Sequence, residues 1–170
     1  LALSVSLTLV STILAIFLTP WLTNLYAGHY VPVDSWGLLK SILLIVMLPL
    51  LIGLLWKRLF ENSARQVTKV SPFVSVLFIL LIVGYVLAAK RDIILNNWYT
   101  LLFAVLFLHT GGFFLGFVIG LLFKRNQLEC RTFSIEVGMQ NSGLATELAR
   151  SNFSSYGLAT VPGAISALTH

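Results

Sequence analysis

Residues 131–147 read Arg-Thr-Phe-Ser-Ile-Glu-Val-Gly-Met-Gln-Asn-Ser-Gly-Leu-Ala-Thr-Glu. They hold most of the polar side chains that this chain could bring to bear inside an apolar environment. Glu136 and Gln140 stand one helical turn apart, so a helix there turns both toward one site. Ser4, Thr8 and Ser11 recur at i, i+4 and i+7 on one face of an otherwise apolar stretch. Hard cations take carboxylate, hydroxyl, amide and backbone carbonyl oxygens. Ser4, Thr8, Glu136 and Gln140 offer that donor set. Hydroxyls on a helix can equally close on the helix's own carbonyls, and both readings stand for the hydroxyl row. Other chemistries are poorly served. There is no Cys/His cluster, no Ser-His-Asp order and no phosphate-binding glycine loop. Cys130 is the single cysteine, which excludes an intrachain disulfide and a thiolate zinc site. A membrane enzyme would have only Glu136 and His109 to work with.

The elements that carry these residues must sit in a bilayer. Of 170 residues, 58% are apolar and 10% charged, against roughly 25% charged in a soluble domain. Residues 41–56, 71–89 and 96–123 carry no charge, and the last run exceeds the ~20 residues a membrane crossing needs. The net charge of +5 does not point to nucleic acid, because the basic residues fall in short clusters between apolar runs, as in membrane-protein loops.

Five spans and a sixth, shortened one are predicted: about 1–26, 36–56, 71–89, 97–123, 131–150 and 156–170. Pro20 is expected to bend or end the regular part of the first, and Pro49 to kink the second. Pro72 is expected in the first turn of the third, with 57–69 as a polar loop before it. Lys57, Arg58, Arg65 and Lys69 in that loop, and Lys124, Arg125 and Arg131 in the next loop on the same side, predict a cytoplasmic face. Gly112, Gly116 and Gly120 share one helix face at i, i+4 and i+8, which suits close helix packing or a backbone-lined cavity. His109 lies one turn earlier, as a functional group or a hydrogen-bonded packing residue. The chain begins inside an apolar stretch without an initiator methionine and ends just after another. That pattern predicts a piece of a longer protein.

The fifth span is the ambiguous one. With Glu136, Gln140 and Asn141 at its centre, it reads as an interfacial helix or as a broken helix crossing the membrane. Broken helices are tolerated at that depth only where protein or a cavity surrounds them, and carriers use them to present carbonyls to ions. A crossing here keeps the in–out alternation of the loops. Glycine at 138 and 143 would supply the backbone freedom of a break.

Residues 135–144, Ile-Glu-Val-Gly-Met-Gln-Asn-Ser-Gly-Leu, resemble the signature of the bile acid:sodium symporter family. Ala2-Leu3-Ser4-Val5 with Thr8, Leu108-His109-Thr110-Gly111, and Val161-Pro162-Gly163-Ala164 with His170 resemble other stretches of that family, in order. Thr110 departs from the Asn found in many bacterial members. The resemblance implies an all-α, polytopic bundle, part of an inverted-repeat ten-helix transporter with core and panel domains. Residues 1–26 would be a core helix, 27–92 two panel helices and 93–170 core helices, with the N-terminal helices missing. It implies one sodium site served by Ser4, Thr8 and Glu136. A second would use Glu136, the Val137 and Met139 carbonyls, and Gln140. Asn141 and His170 would face the substrate.

The function expected is sodium-coupled symport of an organic anion, a bile acid or a small carboxylate, by alternating access in a bacterial cytoplasmic membrane. The partners are then that anion, sodium ions, the lipid bilayer and the missing helices, and no nucleic acid. The alternatives are a proton-coupled carrier in which Glu136 titrates, and a non-transporting structural subunit of the membrane.

Overall fold

The computed structural model describes residues 2–169. They form helices and connecting turns, with no strand among the described residues. The elements are α1 (Ala2–Ala27), α2 (Ser35–Ile42), a π-helical turn (Leu43–Met47), α3 (Leu48–Leu59), α4 (Glu61–Ala89), α5 (Arg91–Asn96), α6 (Trp98–Leu122), α7 (Gln127–Gly138), α8 (Ser142–Asn152) and α9 (Val161–Ala167).

Four continuous helical stretches, Ala2–Ala27, Ser35–Leu59, Glu61–Ala89 and Trp98–Leu122, are long and apolar enough to cross a membrane. Their outer faces carry large apolar side chains, with Phe107 83% and Phe73 74% exposed. A water-soluble chain would not leave so much contiguous apolar surface uncovered. The protein is an all-helical, polytopic integral membrane protein. Its interior is small and local. Ile16 of α1, Ile42 of α2 and Leu148 of α8 form one buried cluster, and Val83, Val86 and Ala164 join α4 to α9 in another.

The prolines behave less simply than their sequence context predicts. Pro20 neither ends nor interrupts α1, which continues to Ala27. Apolar surroundings keep a helix intact, because a bilayer supplies no water to reward unwinding. Near Pro49 the second span changes its winding instead: the N–H of Leu48 reaches back five residues to the Leu43 carbonyl, as in a π-helical turn. Pro72 lies inside α4, not in its first turn, and residues 61–69 are helical, not a loop. Only Phe60 separates α3 from α4. Hydropathy marks where a chain enters lipid, not where its helix starts. Residues 61–69 include the strong helix formers Glu61, Ala64, Arg65, Gln66 and Lys69. Glu61 and Arg65 also pair at 3.6 Å one turn apart. The Thr68 carbonyl, which Pro72 cannot serve, accepts from the Ser71 hydroxyl at 3.4 Å. The last apolar segment is likewise shorter than expected. Residues 153–160 form turns, and regular α9 starts at Val161.

Between α6 and α7 the chain reverses within four residues. The Lys124 N–H bonds the Leu121 carbonyl and the Arg125 N–H bonds the Gly120 carbonyl, a Schellman closure with Lys124 at φ 53° where glycine is usual. Asn126 and Glu129 then form a reciprocal capping box at the start of α7. This tight turn lays α7 along α6, glycine face inward. A methyl group at Gly116 would sit 2.5 Å from the Phe133 carbonyl oxygen, and one at Gly120 would sit 2.8 Å from Cys130 Cα. The three glycines therefore serve close packing of two backbones.

Lys57, Arg58, Arg65 and Lys69 cluster around the α3–α4 junction, and the positive-inside rule assigns that junction to the cytoplasm. A cysteine at the exposed Ser63 is expected to resist impermeant thiol reagents added outside intact cells. Cys130 is fully buried and is replaced by alanine in the same background. Ready external labelling of Ser63→Cys would invert the topology.

Candidate functional site

The helix carrying Glu136 breaks just beyond it. α7 ends at Gly138, Met139 adopts an extended backbone (φ −84°, ψ 105°), and α8 begins at Ser142. The two half-helices, 12 and 11 residues long, together rise about 35 Å, enough to span a bilayer. Asn141 caps α8 by accepting from the Leu144 N–H at 3.2 Å. The break does not use glycine's backbone freedom: no described glycine has a positive φ. Gly138 is needed for space, because a side chain there would run into the Phe113 ring of α6. Gly143 has nothing within 4 Å of where a Cβ would stand.

Glu136 is half-buried and turns toward α1. Ser4 donates a hydrogen bond to its Oε1. The Thr8 hydroxyl lies 2.7 Å from its Oε2 and 2.9 Å from the Ser4 carbonyl oxygen. Thr8 has one proton and donates to one of these at a time. The Ser11 hydroxyl instead closes on its own helix, 3.0 Å from the Thr8 carbonyl. Two hydroxyls, one carboxylate and one carbonyl thus converge across a gap of 128 to 132 positions in the chain.

The other predicted positions lie around the break. The Gln140 side chain folds back, its Nε2 donating to the Val137 carbonyl at 2.8 Å. The Val137 oxygen also faces α6, 2.9 Å from where a Cβ on Gly112 would be. Met139, Gln140 and Asn141 are exposed in this chain. His170 lies outside the described residues. Gln140, Asn141 and Ser142 border an open cavity of about 920 Å³ whose other walls include Ala15, Gly112 and Pro162. A second cavity of about 950 Å³ lies between α3 and α4, lined by Trp56, Lys57, Arg65 and Lys69. It is lined by other residues entirely and has no part in this site. Among the described residues no three His, Cys, Asp or Glu side chains gather.

The inner side of the break holds groups whose connection the sequence pattern did not suggest. His109, 7% exposed on α6, has Nδ1 2.9 Å from the Gly138 carbonyl and Nε2 2.8 Å from Ser166 Oγ on α9. Ser166 Oγ is 2.7 Å from Ser142 Oγ at the start of α8. Thr146 donates to the Ser142 carbonyl at 2.8 Å. Gly163 lets α9 close on this point, since a Cβ there would lie 2.5 Å from Thr146 Oγ1. Ser166, a single serine in an apolar segment, carried no visible signal in sequence, and Ser142 stood in the polar run around Glu136 without a role of its own. His109 alone was conspicuous.

Comparison with known proteins gives a consistent result. Residues 1–97 match the model of the family described as Sodium Bile acid symporter family. The chain is 40% identical over 170 residues to the uncharacterized sodium-dependent transporter YocS of Bacillus subtilis (strain 168), covering 99% of this chain and 52% of that protein. It is 38% identical to the probable sodium/metabolite cotransporter BASS1, chloroplastic, of Oryza sativa subsp. japonica, over 99% of this chain and 41% of the relative. The corresponding protein of Arabidopsis thaliana is 37% identical, over 99% and 42%. The chain therefore spans about half the length, or less, of these relatives. They are named as transporters, not enzymes.

Proposed function

This chain belongs to the Sodium Bile acid symporter family, and on that premise we propose that the full protein couples inward sodium flow to uptake of an organic anion. The anion is a bile acid or a small carboxylate, and sodium is a co-substrate. One observation carries the reading: the carboxylate of a broken helix is met by two hydroxyls of α1. Ligands of one hard cation lie within about 5 Å of each other, and the Ser4 and Thr8 hydroxyls each already lie within that distance of the Glu136 carboxylate. An ion entering there replaces the hydroxyl protons as the partner of the carboxylate, while the hydroxyl oxygens turn their lone pairs to it.

The second sodium position proposed uses Glu136, the Val137 and Met139 carbonyls and Gln140. Gln140 here gives its N–H to the Val137 oxygen, so ligation by Gln140 requires its amide to rotate. A carbonyl that accepts one hydrogen bond keeps a second lone pair for an ion. Asn141 borders the cavity and is the group proposed to meet the anion, together with His170.

In this reading residues 1–26 and 93–170 belong to a core domain, 27–92 to a panel, and further N-terminal helices complete an inverted repeat. Core and panel move against each other around the midplane site. A bacterial cytoplasmic membrane is the location proposed, on the strength of the Bacillus relative; the chloroplast relatives make a plastid membrane the competing outcome.

The test is uptake by the full-length protein in proteoliposomes, with labelled bile acids and small keto and hydroxy acids. An inward sodium gradient is expected to drive accumulation, and a pH gradient in sodium-free buffer is expected not to. Accumulation driven by protons alone would replace sodium symport with a proton-coupled carrier.

A further inference from the structure

In an unbroken helix the carbonyl of residue 138 would accept from the N–H of residue 142. Here the Ser142 N–H goes to the Gln140 carbonyl at 2.9 Å, and the Gly138 carbonyl needs another donor. His109 supplies it through Nδ1. A carbonyl only accepts, so Nδ1 carries a proton. In the neutral imidazole Nε2 then accepts from the Ser166 hydroxyl. Ser166, having spent its proton, accepts from Ser142 in the 2.7 Å contact between them, in preference to the Gln140 carbonyl that lies 3.3 Å from the same hydroxyl. The two residues that a continuous helix would join directly are thus joined through an imidazole and a serine, contributed by α6 and α9.

The geometry points to His109 as the positioning residue of the break: through Ser166 it spans the Gly138–Ser142 gap and so sets where the Val137 and Met139 carbonyls lie. This rests on the sodium reading above for its functional consequence, but not for its structural one. His109, Ser142 and Ser166 are buried, while Glu136 is half-buried and Gln140 and Asn141 are exposed; Ser142 and Ser166 border the same cavity as Gln140 and Asn141. His109 acts by fixing the main chain between the proposed ion ligands. The bridge also joins three elements at one point, so a shift of α9 against α6 would be felt at the break.

The experiment uses the full-length protein in lipid nanodiscs with His109→Leu, His109→Asn and Ser166→Ala. Leucine and asparagine are close in size and shape, and only asparagine places an N–H near the position of Nδ1. Amide hydrogen exchange is followed over residues 139–145, with choline in place of sodium. His109→Leu is expected to speed exchange there about tenfold, the usual consequence of losing one buried hydrogen bond. His109→Asn keeps a donor near Nδ1 but cannot reach Ser166, so it and Ser166→Ala are both expected to fall between wild type and His109→Leu. In uptake assays the sodium concentration for half-maximal rate is expected to rise about tenfold for His109→Leu, and to be partly restored in His109→Asn.

Equal exchange in the Leu, Asn and wild-type proteins would overturn the bridge. Faster exchange with an unchanged sodium requirement would overturn its role in positioning the ion ligands. If His109→Leu does not insert, Ser166→Ala decides by the same two readouts, since it removes one link and little volume. Uptake by the wild type that ignores sodium would end the symport reading and leave the exchange measurements to judge the bridge alone.

Discussion

Glu136→Ala in the full-length protein is expected to lower sodium-driven uptake at least about a hundredfold while leaving insertion intact. Glu136 is the single carboxylate in the proposed ligand set, and both of its oxygens are engaged by α1 hydroxyls. Removing it leaves neutral oxygens to hold a cation in surroundings where water is scarce, and a hard cation without a negative ligand binds weakly there. Insertion should not suffer, because an ionisable group inside a membrane span is a cost to entry, not a help. Glu136→Gln keeps the size and hydrogen-bonding capacity and loses the charge, so it should fail nearly as badly. Thr8→Val removes one neutral oxygen and should raise the sodium requirement without abolishing transport. The measurement is initial uptake against sodium concentration, with membrane abundance determined in parallel. Normal sodium-driven uptake by the Glu136→Ala protein would end the ligand assignment.

The second large effect is mechanical. Gly116→Val is expected to destabilise the protein by about 3 kcal/mol or more, at the upper end of the range for overpacking, and to lower its melting temperature in detergent by about 10 °C. The added Cβ would stand 2.5 Å from the Phe133 carbonyl oxygen and 2.8 Å from Ser134 Cα. Both are backbone atoms of α7 and cannot rotate away, as a side chain could. The helices must part, and the contact of Gly112 with the Val137 carbonyl and of Gly120 with Cys130 goes with them. In a membrane there is little hydrophobic drive to restore that contact, because lipid solvates the exposed faces as well as protein does. Gly84→Val is the matched control: no atom lies within 4 Å of its would-be Cβ, so its melting temperature should stay within a few degrees of wild type. Equal losses at both sites would show that helix propensity, not α6–α7 packing, is being measured.

These two variants mark the boundary between what local sequence and tertiary structure each decide. The sequence by itself determined the solvent. Uncharged runs longer than a bilayer crossing point to helices in lipid, where a helix satisfies nearly all of its backbone polar groups within its own segment. It also narrowed the chemistry available: a single cysteine excludes an intrachain disulfide and a thiolate zinc site, and Glu136 stands among hydroxyls and amides, the oxygens that hard cations take. The glycine spacing in α6 left close packing and a backbone-lined cavity both open; in the fold all three glycines meet α7 closely, and Gly112 also borders the cavity.

Helix boundaries and the reason for the break belong to the tertiary structure. Polarity at 57–69 read as a loop, but residues 57–59 close α3 and 61–69, rich in strong helix formers, begin α4. Glycine at 138 read as a hinge, yet its dihedrals are open to any residue and its small size is what Phe113 requires. Above all, which oxygens meet is decided in three dimensions. Ser4, Thr8 and Ser11 are equivalent by spacing, and the packing of α7 turns two of them to Glu136 while the third closes on its own helix. Ser142 and Ser166 gain meaning only because α9 brings one beside the other and His109 beside both. Hydropathy and periodicity are sums over neighbours in the chain. A hydrogen bond between residues more than a hundred positions apart is set by how whole helices pack, and no local pattern records it.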